Sequence, residues 1–354
     1  MSAGDFTVVR TTRTSRAGAI GGLAALGALA SVPLWASSGD MRLLVEALTL
    51  LALAQMWNLL AGYAGLVSIG QQAFVGIGAY GLYVLGDRVG LHPFLSVGVA
   101  GLAAAVIAIP TAGLAFRLRG GYFAIGTWVI AEVYHLLAVN TSYIGGGSGV
   151  TVGSAAQLER STREDGTYWL ALATGAGAIL LVYLILRSRL GLALTAIRDN
   201  EEGAESLGVN VMRAKFLVYV MAGLGCGIAG GVIYLNLLRI QPDAAFTVNW
   251  TAYMIFIVVI GGIGTIEGPI VGTAVFFVMR ELLSGYGAWY LVALGSVAVV
   301  VMLWSPGGIW SLVLRRFDLR LFPVQRRLRI THALLQPGAG TPGRGGGEGV
   351  RDRR

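Results

Sequence analysis

The sequence predicts an all-α, polytopic integral membrane protein with about eight to ten transmembrane segments, some of them interrupted or re-entrant. Three observations carry this. First, 55% of the 354 residues are hydrophobic and only 12% charged, with a mean hydropathy of +0.72; an ordinary globular domain is about twice as charged. Second, apolar runs of the length needed to cross a bilayer, about 20 residues, recur between charged, proline and aromatic punctuation. Third, the 53 glycines lie inside those runs without a Gly-X-Y period, where small residues let helices approach closely. A single cysteine, Cys226, allows no intrachain disulfide and reads as a small core residue. The three histidines, His92, His135 and His332, lack the spacing of a helical metal site, so no metal is expected.

Taken in order, the spans fall at about 17–36, 42–61, 66–86, 94–116, 121–140, 167–187 and 215–238. The next apolar run, 251–284, is too long for one crossing and is interrupted by "GGIGTIEGP" at 261–269. A clean span follows at about 287–304. The first span reads as a retained signal-anchor, because it is long and the stretch "LWASSG" makes a weak cleavage site; a cleaved signal peptide is the alternative.

Loops rich in Lys and Arg stay in the cytoplasm. Arg10, Arg13 and Arg16 precede the first span, Arg117 and Arg119 follow the fourth, and Arg187, Arg189, Arg198, Arg213 and Lys215 surround residues 188–214. All three groups fall on one side. The tail from 315 holds ten arginines against Asp318, Glu348 and Asp352, which is +7 of the chain's net +8, and belongs on that side too. This requires 251–284 to enter the membrane and return, as two helices or as half-helices around the break. Irregular backbone at membrane depth is tolerated only where protein or a water-filled cavity covers it, so the break is expected to face a pathway. The last seventeen residues, "GAGTPGRGGGEGVRDRR", are expected to be disordered, with anionic lipid as their only suggested contact.

The stretch "AIRDNEEGAESLGVN", 196–210, gathers Asp199, Glu201, Glu202 and Glu205, four of the chain's eighteen acids. Asp199 or Asn200 can cap a helix whose first turn carries Glu201 and Glu202, and Gly208 can stop it. Ala204, Leu207 and Val211 form an apolar stripe at helical spacing. A helix resting on an anionic leaflet is usually basic on its polar face. This one is acidic, so its stripe is expected to meet protein, with Arg198 and Arg213 holding its ends nearer the membrane.

The longer stretch "RSRLGLALTAIRDNEEGAESLGVNV" resembles the cytoplasmic loop of permease subunits in bacterial ATP-binding cassette importers for branched-chain amino acids, the LivM type. The permease pattern there is Glu-Ala-Ala, three residues, then Gly. Glu202, Gly203, Ala204 and Gly208 occupy those positions, Gly203 departing from the usual Ala. "WNLLAGYAGLVSIGQQAFVGIGAY" at 57–80, "RLRGGYFAIGTWVIAEVYHLL" at 117–137 and "GGIGTIEGPIVGTAV" at 261–275 are similar to further blocks of that family. The resemblance implies a transport subunit without enzymatic activity of its own, in the bacterial plasma membrane; the arginine distribution is what puts both termini on the cytoplasmic side. It implies two ATPase subunits, a second homologous permease subunit and an extracytoplasmic substrate-binding protein; no nucleic acid is implied. It also implies that Arg198, Asp199, Glu201, Glu202, Ala204, Glu205, Leu207 and Gly208 couple to an ATPase groove. On this reading 1–16 is a cytoplasmic N-terminus, 17–314 the permease domain with a coupling loop at 188–214, and 315–354 a basic, largely disordered tail.

The energy source must lie elsewhere. A Walker A loop needs a lysine after glycine and before Ser or Thr, and the only lysine, Lys215, sits in "RAKF". No cofactor is therefore expected on this chain; ATP and Mg²⁺ belong to partner subunits. For the pathway, Ser68, Gln71 and Gln72 offer uncharged donors and acceptors suited to a zwitterion or a neutral polar solute. Gly70, Gly76, Gly261, Gly262 and Gly264 permit close packing or broken helices. Laid on 65–80 without gaps, 261–276 matches at Gly65/Gly261, Val75/Val271 and Gly76/Gly272, in keeping with two related halves. Of the acids Glu46, Glu132, Glu267 and Glu281, only Glu132 falls well inside a span, where His135 at i, i+3 can pair with it; the pair is either a satisfied polar contact or a relay or substrate contact. Urea or short amides are the alternative solutes within the family. A stand-alone channel or secondary transporter is the alternative class, and a membrane-embedded enzyme has no matching dyad or metal set.

Overall fold

The computed structural model describes residues 6–9, 13–283, 285, 289–305, 307–317, 321–322 and 327–330. Its helices, in order, are α1 (Arg13–Ala30), α2 (Ser38–Asn58), α3 (Gln72–Tyr83), α4 (Pro93–Ala115), α5 (Gly121–Asn140), the short α6 (Gly153–Ala156), α7 (Arg160–Arg187), α8 (Arg189–Asp199), α9 (Glu201–Ser206), α10 (Val211–Leu237), the short α11 (Pro242–Ala245), α12 (Asn249–Gly261), α13 (Glu267–Leu283), α14 (Trp289–Trp304) and α15 (Gly308–Phe317). Strand β1 (Phe6–Val9) pairs antiparallel with β4 (Arg327–Ile330), and β2 (Val150–Thr151) with β3 (Arg239–Ile240). Seven helical stretches among the described residues are long and apolar enough to cross a membrane: Ser38–Tyr63, Pro93–Ala115, Gly121–Asn140, Arg160–Arg187, Val211–Leu237, Pro242–Gly261 and Val292–Leu314.

Local signals set the ends. At the start of α2 the Ser37 hydroxyl accepts from Asp40 N while the Asp40 carboxylate accepts from Ser37 N, a reciprocal cap that satisfies two otherwise orphaned donors. Pro93 opens α4, where its missing N–H costs nothing. α2 continues as a π-helical turn, Leu59–Tyr63.

α10 runs through the middle of the bundle, against α3, α4 and α2. Small residues make this possible. Side chains at Gly78 and Gly230 would overlap the carbonyls of Gly227 and Val75 respectively, and one at Gly227 would strike Ala104. Cys226 is fully buried on the same helix.

One span departs from its expected bounds, and another folds back as expected. The segment expected as a full span at 66–86 is instead an irregular stretch, 64–71, followed by the twelve-residue α3 and a π turn, Val84–Arg88. Buried hydrogen bonds to its backbone, described below, replace the helical ones. The run 251–284 does fold back on itself, as α12 and α13 around a break at 262–266. A side chain at Gly261 would overlap the Gly268 carbonyl and one at Gly272 the Ile257 carbonyl, so the two helices pack antiparallel with backbones touching. A further helix, α15, follows α14 and packs on α12 and α13. Residues 315–317 of the basic tail belong to α15 and 327–330 to β4; the last seventeen residues lie outside the described residues.

Candidate functional site

The acidic stretch forms the helix its caps require. Asn200, not Asp199, is the N-cap: its backbone is extended, and its Oδ1 accepts from Gly203 N at 2.9 Å. At the other end Gly208 takes φ +83, with Gly208 N donating to Glu205 O (2.9 Å) and Val209 N to Ala204 O (3.1 Å). This is the Schellman arrangement, which uses a left-handed residue to satisfy the last carbonyls. Asn210 then caps α10 through Arg213 N, 2.9 Å. α9 is therefore a short rigid element between two asparagine caps.

Its faces are distinct. Ala204 is buried against the rest of the chain, whereas Leu207 is 84% exposed, so the expected stripe divides between an inner residue and an outer one. Glu202, Glu205 and Gly208 are exposed. Glu201 meets Lys215 Nζ at 2.7 Å. Arg198 turns inward: Nη1 donates to Gly62 O at 3.5 Å and stands beside Gly264, while Nε meets Asp199 at 3.4 Å. A guanidinium at the C-terminal end of a helix favours the negative pole of its dipole. The same side chain thus links α8 to the end of α2 and to the break at 262–266.

The expected pathway residues separate into two groups around these breaks. Ser68, Gln71 and Gln72 are all buried. Ser68 Oγ accepts from Gly70 N (3.3 Å) and Gln71 Nε2 (3.2 Å), Cys226 Sγ approaches Gln71 Oε1 at 3.6 Å, and Thr251 donates to Gln72 Oε1. Ile69 N donates to Thr127 Oγ1 at 3.1 Å, and a side chain at Gly70 would overlap the Thr127 carbonyl. In this conformation these polar groups hold segment 64–71 onto α5 and α10, and the start of α3 onto α12. The second group, Gly261, Gly262 and Gly264, lines the other break; Gly262 and Gly264 have φ +139 and +75, conformations open to glycine. Gly76 carries the Phe246 ring directly on its backbone.

Three polar residues on one apolar helix, α2, hold both breaks, and they were not singled out from the sequence. Trp57 Nε1 donates to Ser68 O (2.9 Å), Asn58 Nδ2 to Thr265 O (2.8 Å), and Gln55 Nε2 to Ile266 O (2.8 Å); Asn58 Oδ1 accepts from Gly264 N (2.9 Å). Gln55 and Asn58 are fully buried. An amide pair inside an otherwise apolar span was the available signal, since buried polar groups need partners.

The acids within spans also find partners. Glu46 pairs with Arg280 of α13, Nη2 to Oε2 at 2.7 Å. Glu267 Oε1 accepts from Leu321 N and Phe322 N, each at 3.2 Å. Glu132 Oε1 lies 2.9 Å from His135 Nδ1, the expected pair, and Asp243 Oδ1 lies 2.9 Å from His135 Nε2. Asp243, 108 positions away in the chain, could not be linked to that pair by spacing.

The family described as "Branched-chain amino acid transport system / permease component" matches residues 41–305, from α2 to the end of α14. The high-affinity branched-chain amino acid transport system permease protein LivM of Salmonella typhimurium is 27% identical over 303 residues, covering 78% of this chain and 71% of that protein. Its Escherichia coli counterpart is 28% identical over the same shares. A probable LivM of Methanocaldococcus jannaschii is 23% identical over 278 residues, covering 67% of this chain and 79% of that protein.

Proposed function

The chain belongs to the family of permease components of branched-chain amino acid transport systems, and from that premise we propose that it forms one half of the membrane pathway of an ATP-driven importer for branched-chain or related amino acids. It is a multi-pass membrane transport subunit. The observation that carries the coupling mechanism is α9: a helix fixed by caps at both ends, acidic on its surface, presenting Leu207 outward. An anionic leaflet repels such a surface, whereas a basic-rimmed groove on a soluble ATPase subunit accommodates it. The partners are two ATPase subunits, which hold ATP and Mg²⁺, a second permease subunit and an extracytoplasmic binding protein.

In this mechanism ATP-driven closure of the ATPase subunits displaces α9. α8 moves with it, and Arg198 passes the displacement to Gly62 and to the break at 262–266. α2 then acts on both breaks together, because Trp57 holds segment 64–71 while Gln55 and Asn58 hold 264–266. Breaks in packed helices are positions where a membrane protein can rearrange backbone without exposing it to lipid. The N- and C-terminal segments both belong to the cytoplasmic side, a reading supported by the arginine distribution and by the pairing of β1 with β4.

The test is uptake of radiolabelled leucine into proteoliposomes carrying the complete complex. ATP is expected to drive accumulation against a gradient, and this chain with its permease partner alone is expected to give none. Movement down a gradient without ATPase subunits would instead establish a stand-alone carrier or channel.

A further inference from the structure

We propose that Leu321, Phe322 and strand β4 form an autoinhibitory strap that holds the helix break at 262–266 in the conformation described, so that the transport cycle must release it. Its action on ATP hydrolysis rests on the function proposed above; the strap itself stands on the following geometry.

Glu267 is the first residue of α13, immediately after the break, and is buried at 7% exposure. An ionised carboxylate in such a place needs donors, because taking a charge out of water without them is costly. The positive end of α13 supplies part of the compensation. The tail supplies the rest: Leu321 N and Phe322 N, two successive backbone donors, both bond Glu267 Oε1 at 3.2 Å. Hydrogen bonds to an ionised acceptor are roughly twice as strong as neutral ones.

The same two residues reach other elements. The Phe322 ring lies 5.7 Å from that of Tyr183, near the end of α7, and packs against the buried core. Leu321 rests on α1 where that helix is bare: a side chain at Gly18 would begin 3.1 Å from Leu321 Cβ. Further along the chain β4 pairs with β1, the strand that precedes α1. The segment is thus fixed to the N-terminal strand, α1, α7 and α13 together. Residues 6–30 and 321–330 both lie outside the stretch 41–305 that matches the family, and the strap meets that matched core at Tyr183 and Glu267.

This attachment bears on the coupling route. Arg198 stands beside Gly264, three positions before Glu267. The break is therefore gripped from two sides, by the side chain that carries motion from α8 and by the strap. Movement of the break either breaks the two bonds to Glu267 or drags the tail with α1 and α7 attached. A contact made in one conformation and lost in another favours the first. Loosening the strap should then let ATP hydrolysis proceed without loaded binding protein.

The test is ATPase activity of the assembled complex in proteoliposomes, with and without leucine-loaded binding protein. A chain ending at Phe317 should raise unstimulated hydrolysis about fivefold or more, the scale of losing a hydrogen bond to a charged group. Phe322→Ala, which leaves the break itself untouched, should raise it by less and remains informative if the shortened chain fails to assemble. The converse variant carries Gly18→Cys and Leu321→Cys with Cys226→Ala, which removes the only native cysteine. Oxidation with copper-phenanthroline should join the two introduced thiols and abolish stimulated hydrolysis, and dithiothreitol should restore it. Unchanged unstimulated rates in both loosened variants, failure of the cross-link to form, or full stimulation while cross-linked would overturn the proposal. The two readings separate: uptake that needs no ATPase subunits rejects the proposed function, yet the cross-link should still slow that uptake. ATP-driven uptake indifferent to both loosening and cross-linking rejects the strap and keeps the function.

Discussion

Truncating Asn58 to alanine tests whether α2 holds the second helix break. The amide donates to Thr265 O at 2.8 Å and accepts from Gly264 N at 2.9 Å. Both partners belong to non-helical backbone, so no helical hydrogen bond replaces the lost one. Leaving a buried backbone group unsatisfied costs about 1–3 kcal/mol, but side-chain hydrogen bonds between membrane helices have averaged only about 0.6 kcal/mol. Two partly buried groups therefore place the loss at about 1–4 kcal/mol. Gln55→Leu, which removes a single bond to Ile266 O, should lose about half as much. Equilibrium unfolding in mixed micelles measures stability, and leucine uptake by the same preparations measures function. Asn58→Ala should unfold at lower denaturant and transport more slowly while still assembling with its partners. Unfolding within about 0.5 kcal/mol of wild type, together with normal uptake, would refute the idea that this amide organises the break.

Gly78→Ala should prevent correct assembly, because the new methyl would overlap the Gly227 carbonyl where α3 crosses α10; size-exclusion in detergent reads this, and a normally assembled variant would contradict the packing. Lys215→Met should change stability by less than about 1 kcal/mol, since its partner Glu201 is more than half exposed and surface ion pairs contribute little; unfolding in mixed micelles checks it. Asn200→Ala removes the N-cap of α9 and should cost that helix about 1 kcal/mol, lowering substrate-stimulated ATPase activity while leaving complex formation intact.

The sequence made the helical class legible because charge depletion and span-length apolar runs are properties of composition and order alone. The caps of α9 were legible for a related reason: Asn200 and Gly208 act on backbone within three or four residues of themselves. The fold-back of 251–284 followed from counting charge across the bilayer, and antiparallel α12 and α13 satisfy it. What remained hidden depends on contacts distant in the chain. Segment 64–71, with Ser68, Gln71 and Gly70, reads as close-packed or broken within an expected span, but the partners of its irregular backbone do not show in the sequence: Trp57 and Thr127 come from two other helices to meet it, and Thr251 from a third to meet Gln72 at the start of α3. Leu207 shared a stripe with Ala204 by periodicity, yet α9 ends at Ser206 and the left-handed Gly208 turns the chain, so the two residues face different ways. Asp243 escaped notice because a lone acid after a proline has no local pattern tying it to His135.

The most direct test of the account is substrate-stimulated ATP hydrolysis by the assembled complex carrying Leu207→Asp or Gly208→Val in this chain. Leu207→Asp places a carboxylate where the exposed apolar side chain should enter the ATPase groove, and Gly208→Val forces a β-branched residue into φ +83, a conformation that costs an L-residue about 1–2 kcal/mol. The account predicts complexes that form and hydrolyse ATP at a basal rate but no longer respond to loaded binding protein. Full stimulation in both variants would contradict it.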